Sequence, residues 1–476
     1  MKEALSFLRR KDVLVIFAYA PAGLGHLRVT HALYSSLPEG LNTLLLGSHD
    51  KTIAQIHHVI SSNHLVREFF EFAQSGAPED FFTYMYRSFL GRSTEGLYEQ
   101  LTTILGQSMH VISTLVVVCT HFGLAHQLVE VKDKLDKEKG VRLIVIVQVT
   151  DDSPQHIWYV PRADLIFVPS AQTGKLLAQY GRTARLLPTR FRTVPYPVSL
   201  KLTEILTKQE FADRSRQVNP SNKSLIHISV PISGGAVGLP YLTYIIEQLH
   251  RLSARFIFHV VSKTSESTHR FLQNMERRDY VHIYTSTHDR EIVTAYELLF
   301  ARSIITLEIT KPSEQSFKSL INPLKRGGVL LLFAPPVGRQ EYDNLYFLRR
   351  HRLLPTESDQ AYLWYQSANN NPLNLKNSIL VRARSWRSLN LPEDSLKAAH
   401  FIYWCLHEGI FSRMLEWSTF TSFSSTKSLE LGDDGAVRFW RETERFLKSK
   451  IRRIYATSNG GLHKKSYSNR SIYNAL

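Results

Sequence analysis

The sequence predicts an α/β protein made of two doubly wound parallel-sheet halves facing a cleft, with a helical extension behind them. Continuous apolar runs, the mark of strands buried on both faces, alternate with helix-like stretches. The strand pattern breaks off at a polar segment, 201–224 (KLTEILTKQEFADRSRQVNPSNKS), and then restarts. At 476 residues the chain exceeds one ordinary domain and can bury two or three cores.

In the first half the runs are VLVIFAYA from Val13, NTLLLG from Asn42, STLVVVCT from Ser113, RLIVIVQVT from Arg142 and DLIFVPS from Asp164. Five strands with long connections make one doubly wound domain, 1–205. The second half repeats the pattern with LIHISV from Leu225, FIFHVV from Phe256, HIYTS from His282, SIITLEIT from Ser303 and GVLLLFA from Gly328, giving a domain over 206–385. Beyond about residue 385 the strand pattern stops. Leu391 to Trp417 and Ala436 to Tyr455 read as helices, the second with Val437, Trp440, Leu447, Ile451 and Ile454 on one face. The extension 386–476 therefore reads as helical, ending in a basic, partly flexible tail.

The chain carries 58 Lys+Arg against 42 Asp+Glu, a net charge of +16, which favours an anionic partner: a phosphate-bearing substrate, nucleic acid or an anionic membrane face. Half of that excess lies between Arg438 and Arg470, where ten basic residues meet two acidic ones. Nucleic-acid binding through this tail is disfavoured, because it lacks the interleaved aromatics that base stacking uses. Only Cys119 and Cys405 are present, which argues against a disulfide framework or a Cys-based metal site and points to a reducing cytoplasm. The N-terminus MKEALSFLRRKD lacks the pattern of a signal peptide. No run reaches the ~18 apolar residues of a membrane span.

The stretch AYAPAGLGHLRVTHAL, Ala18 to Leu33, follows the first strand and places Gly23-Leu24-Gly25-His26 at a helix start. A dinucleotide fingerprint needs Gly or Ala at position 28, where helix packs on strand, and the residue is Arg28. Two readings remain. The loop is a plain tight turn, or its glycines admit a ligand to the free N–H groups and positive dipole end of the helix. In the second reading that dipole biases His26 toward the neutral imidazole, the form a general base requires.

Further stretches carry a resemblance. The first half contains CTHFGLAHQL (Cys119 to Leu128), VQVTDDSPQHIWYVPRADLIFVPSAQTGKLLAQYG (Val147 to Gly181) and VPYPV (Val194 to Val198). The second contains ISVPISGGAVG (Ile228 to Gly238), ITKPSEQSFKSL (Ile309 to Leu320) and FAPPVGRQEYDNLYFL (Phe333 to Leu348). In order and approximate spacing these resemble the motifs of two-Rossmann-domain GT-B glycosyltransferases, most of all monogalactosyldiacylglycerol synthases and bacterial diacylglycerol glucosyltransferases. The peptidoglycan-precursor N-acetylglucosaminyltransferases are more distant relatives. The resemblance covers roughly residues 12 to 355.

What the resemblance implies is an inverting transfer of a sugar from a nucleotide-sugar, UDP-linked in the family, to a hydroxyl acceptor such as diacylglycerol, with no metal or other cofactor. His26 would take the acceptor proton, with Asp151 orienting it or the acceptor. Ser233, Gly234, Gly235, Lys263, Thr310, Lys311, Ser313, Gln340, Glu341 and Asn344 would hold the donor. Gly23, Gly25, Thr120, His121, His156 and Trp158 would form the acceptor side. The aromatic-rich segment Phe69 to Leu101 stands where lipid-using relatives place acceptor and membrane helices. The cationic tail helix would suit peripheral contact with an anionic membrane. A returning last helix of the GT-B kind would equally explain its apolar face.

Two departures stand against this pattern. The family's donor-ribose glutamate, eight residues beyond Lys311, falls on Ser319, and the glycines after that lysine are replaced by Ser313-Glu314. They leave open a non-catalytic binding protein of the same fold, and a nucleotide-sugar epimerase stays open because it too uses an interdomain cleft and a GT-B donor domain.

Overall fold

The computed structural model describes residues 5–19, 24–38, 40–41, 43–47, 79–80, 83–87, 94–232, 234–374, 376–416 and 428–465. Among the described residues two six-stranded, wholly parallel sheets form. The first has order β2-β1-β3-β4-β5-β6, with β1 Val13–Tyr19, β2 Thr43–Gly47, β3 Thr114–Cys119, β4 Arg142–Gln148, β5 Leu165–Val168 and β6 Phe191–Thr193. The second has order β12-β11-β10-β7-β8-β9, with β7 Ile226–Pro231, β8 Phe256–Lys263, β9 Val281–Ser286, β10 Leu307–Thr310, β11 Leu330–Phe333 and β12 Ser388–Asn390. Helices flank both sheets, and the architecture is the GT-B one of two Rossmann-like domains.

All ten expected strands form. Two more, β6 and β12, are three residues long and were invisible as apolar runs: Phe191–Thr193 reads FRT, and Ser388–Asn390 reads SLN. The strands therefore do not stop at residue 385. Ser395–His407 and Ile410–Leu415 bury Phe401, Ile402, Trp404, Phe411 and Met414 in the same core as β7 and β8, so this stretch completes the second domain.

Each sheet reverses direction of winding once. In the first the reversal lies between β1 and β3, in the second between β7 and β10. At such a point the connections leave toward opposite sides and a crevice opens at the carboxyl ends of the strands. The segments following β1, β3, β7 and β10 are those the sequence singles out.

The helices that position the site are α1 (Leu24–Ser35), α2 (Phe122–Lys139), α3 (Leu239–Leu252), α4 (Asp289–Arg302), α5 (Arg339–Arg350) and the closing helix α6 (Gly435–Lys465). α6 returns to the first domain. Trp440 is fully buried against Phe17 and Phe439, and its indole N–H donates to Leu33 O at 2.9 Å. Glu444 accepts from the Phe7 and Leu8 backbone N–H groups at 2.7 and 3.2 Å, tying the N-terminal turn to this helix. The apolar face expected of the tail thus packs on protein at Trp440 and Leu447. The Ile451 and Ile454 side chains lie outside the described residues. Among the described residues no helix is long and apolar enough to cross a membrane.

Candidate functional site

A chamber of about 230 Å³ lies between the two sheets, lined by Leu24, Gly25, His26, Thr150 and Asp151 of the first domain. The second domain contributes Gly234, Gly235, Lys311, Ser313, Glu314, Val337, Gln340 and Glu341. Those residues come from the carboxyl ends of β1, β4, β7, β10 and β11, so the sheet reversals build the chamber.

His26 stands in the first turn of α1. Its Nδ1 lies 2.6 Å from the carbonyl oxygen of Thr120, at the end of β3. A carbonyl only accepts, so Nδ1 carries the proton and Nε2 carries the lone pair. Burial lowers the pKa of the ring, against the raising effect of that hydrogen bond and of the Glu314 charge. The outcome is a neutral imidazole whose tautomer is fixed by the backbone. Thr30 reinforces the arrangement: its hydroxyl donates to His26 O at 2.8 Å and shares a hydrogen bond with the Thr120 hydroxyl at 2.7 Å.

Asp151 follows β4. Burial pushes its carboxyl up to about 7, and the Glu314 and Glu341 charges push the same way, while an Asn344 amide at 2.9 Å holds it partly ionised. Three carboxylates and one lysine therefore share the chamber walls with a neutral histidine. Such a set can hold hydroxyl groups, and Asp151 can exchange a proton near neutrality.

The structure brings His26, Asp151, Gly25, Gly234, Gly235, Lys311, Ser313, Gln340 and Glu341 to one chamber. Gln340 also reaches across the cleft, donating to Gln155 Oε1 at 2.8 Å, and Lys311 donates to Pro335 O at 2.8 Å. Gly23 and Ser233 lie outside the described residues, as does most of the aromatic-rich segment from Phe69.

Other expected site residues are placed elsewhere. Lys263 is paired with Asp289 at 2.9 Å and does not line the chamber. Thr310 faces an adjoining apolar chamber of about 190 Å³, walled by Pro231, Val237, Tyr241, Leu242 and Ala334 to Val337. Asn344 is fully buried, with its oxygen accepting from Asp152 N at 2.9 Å and its amide donating to Asp151 and to Pro312 O. It joins the domains instead of meeting a ligand.

On the expected acceptor side, Thr120 and His121 have no exposed surface and Trp158 is almost wholly buried. Thr120 acts through its carbonyl on His26. His121 packs edge-on to His26 with ring centroids 5.2 Å apart, and Trp158 packs on Phe122. His156 stacks on Tyr180 at 3.8 Å and pairs with Asp80 at 2.8 Å. These four residues therefore back the site or support the domain: Thr120 and His121 at the buried end of β3, and His156 and Trp158 on a short 3-10 turn whose rings pack on Tyr180 and Phe122.

The two departures have a structural counterpart. Ser319 is buried and hydrogen-bonded to Ser388, inside the second domain. Glu314 instead reaches across the cleft to Arg28 Nη1 at 2.7 Å. Arg28, the residue that spoils the dinucleotide fingerprint, and Glu314, the residue that replaces a glycine, are thus partners. Each looks anomalous alone, and only their proximity in space explains them.

No protein-family model and no curated protein sequence matches the chain. Solved structures of similar shape include S. aureus MnaA in a co-structure with UDP, at 9% identity and TM-score 0.44, covering 91% of this chain and 96% of that one. A UDP-N-acetylglucosamine 2-epimerase is similar at 9% identity and TM-score 0.43, covering 98% of this chain and 99% of that chain. Arabidopsis thaliana UGT89C1 complexed with UDP-L-rhamnose is similar at 12% identity and TM-score 0.46, covering 91% and 99%. At these identities and scores the likeness assigns no activity to this chain.

Proposed function

We propose that the protein is an inverting glycosyltransferase that moves a sugar from a nucleotide-sugar, UDP-linked by resemblance, to a hydroxyl acceptor. The observation that carries this reading is the His26 imidazole, held neutral in the cleft with Nδ1 donating to Thr120 O at 2.6 Å. In the reaction Nε2 takes the proton of the acceptor hydroxyl as its oxygen attacks the anomeric carbon. The bond from that carbon to the diphosphate breaks, and the nucleotide leaves with the electron pair. Lys311 and the Gly234-Gly235 segment are the groups on the donor side, and Gln340 and Glu341 suit sugar hydroxyls. The monogalactosyldiacylglycerol-synthase resemblance makes a diacylglycerol-like lipid the acceptor to try first, with the basic tail resting on an anionic membrane.

A second reading, epimerisation of the nucleotide-sugar, is favoured by Asp151, whose carboxyl titrates near neutrality beside Glu314 and Glu341. Acid and base groups on one chamber suit proton removal and return at a sugar carbon. Product analysis separates the two. Incubation with UDP-glucose, UDP-galactose and UDP-N-acetylglucosamine, with and without diacylglycerol in anionic vesicles, yields a glycolipid and free UDP if the chain is a transferase. A changed sugar still attached to UDP, formed without acceptor, would replace that reading by the epimerase one. The absence of any donor consumption would favour a binding protein that keeps the fold.

A further inference from the structure

The Arg28–Glu314 pair does more than join the domains. Arg28 projects from α1, one turn from its start, and its side chain is only 13% exposed. It is a preformed anion-binding group beside a helix N-terminus, the combination that ordinarily receives a phosphate. In this chain the place is already taken. The Glu314 carboxylate lies so close to α1 that a Cβ on Gly25 would meet Glu314 Oε2 at 2.7 Å. The Gln315 amide, with its oxygen turned toward Arg28, accepts from Nε at 2.9 Å. Both neighbouring residues of the second domain thus satisfy one guanidinium of the first.

We infer that Glu314 is a specificity-determining residue: its carboxylate occupies the anion position at α1, so the group bound next to Gly25 and His26 is an uncharged hydroxyl and not a phosphate or carboxylate. This rests on the cleft being the transfer site proposed above, and it narrows the acceptor to a neutral alcohol near its reacting hydroxyl. A diphosphate is confined to the opposite wall, along Gly234, Gly235 and Lys311. A side chain at Gly25 would push the carboxylate off the helix.

Calorimetric titration of the full-length protein with inorganic phosphate tests this without any need for turnover. The Glu314→Gln variant frees Arg28 and is expected to bind phosphate at least tenfold more tightly than wild type, with the gain weakened by salt. In the Arg28→Gln, Glu314→Gln double variant the gain disappears. Gly25→Ala keeps every charge but displaces the carboxylate, and it also tightens phosphate binding, so the test survives if Glu314→Gln fails to fold. Equal affinity in wild type and both single variants, or a gain that persists without Arg28, overturns the inference. Because phosphate is the probe, that failure is distinct from a failure to find sugar transfer in the product analysis.

Discussion

Replacing Asn344 by alanine should loosen the two domains from one another. The side chain has no exposed surface and makes three hydrogen bonds, with Asp152 N at 2.9 Å, Asp151 Oδ1 at 2.9 Å and Pro312 O at 3.1 Å. Each such bond contributes about 1 kcal/mol net, and a buried partner left unsatisfied costs about 1–3 kcal/mol. Two backbone groups lose this partner, so a loss of about 3–5 kcal/mol is expected from a total stability of about 5–15 kcal/mol. The penalty should also depend on pH. Asp151 has a folded pKa raised to about 7. A carboxyl raised in this way favours the folded state at low pH, and that advantage is lost as pH climbs from about 4, its unfolded value, through its folded pKa. Removing the Asn344 amide raises the pKa further, so the variant's deficit grows between pH 6 and pH 8. Urea unfolding followed by tryptophan fluorescence and far-UV circular dichroism reads both effects. A penalty below about 1 kcal/mol, or one that shrinks from pH 6 to pH 8, refutes the assignment of Asn344 as a buried bridge.

The docking of α6 predicts that Trp440→Ala costs about 3–5 kcal/mol in the same assay, whereas Trp440→Phe, which keeps most of the ring contact, costs far less. At Gly435 a Cβ would meet Pro195 O at 2.1 Å and Tyr196 O at 2.5 Å, so Gly435→Ala should displace the start of that helix and lower the melting temperature by several degrees. An unchanged melting temperature would contradict the packing. Across β7, β8 and β9, His227 Nδ1 lies 2.9 Å from His259 Nε2, with the His282 ring 5.2 Å from that of His259. Burial, with the charges of His227 and His282, lowers His259 to about 3, and burial lowers His227 as well. A histidine depressed on folding contributes stability above its unfolded pKa, about 6.5, and loses it as pH falls toward the folded value. The histidine contribution should therefore decline from pH 6.5 to pH 4, opposite in sign to that of Asp151. His259→Gln should make the stability of the variant fall less, or rise more, than that of wild type over this window; an identical pH slope in the two proteins would exclude these histidines as contributors.

Much of the fold was legible because strands buried on both faces leave long apolar runs. VLVIFAYA and RLIVIVQVT announce themselves, whereas FRT and SLN at the sheet edges contain too few apolar residues to register. The chamber was legible in part for the same reason. His26, Asp151, Lys311 and Gln340 stand just after strands, and strand ends gather at a sheet reversal whatever the intervening sequence. Which neighbours of those residues turn inward was not legible, since position along the chain does not reveal burial. Thr120, His121 and Trp158 occupy motif positions yet face the core, and Asn344 divides its amide between Asp151 of the other domain and Pro312 of its own. Arg28 and Glu314 are separated by 285 intervening residues, so their partnership could emerge only from the assembled cleft.

The most direct measurement of the central claim is consumption of nucleotide-sugars by wild-type protein and His26→Ala side by side, with binding of each donor followed by calorimetry. A general base contributes about 10²–10⁴-fold to the rate. If the chamber is a transfer site, one donor is consumed by wild type and at least ~100-fold more slowly by His26→Ala, at similar donor affinity. Equal consumption by both proteins, or no donor bound by either at millimolar concentration, would contradict it.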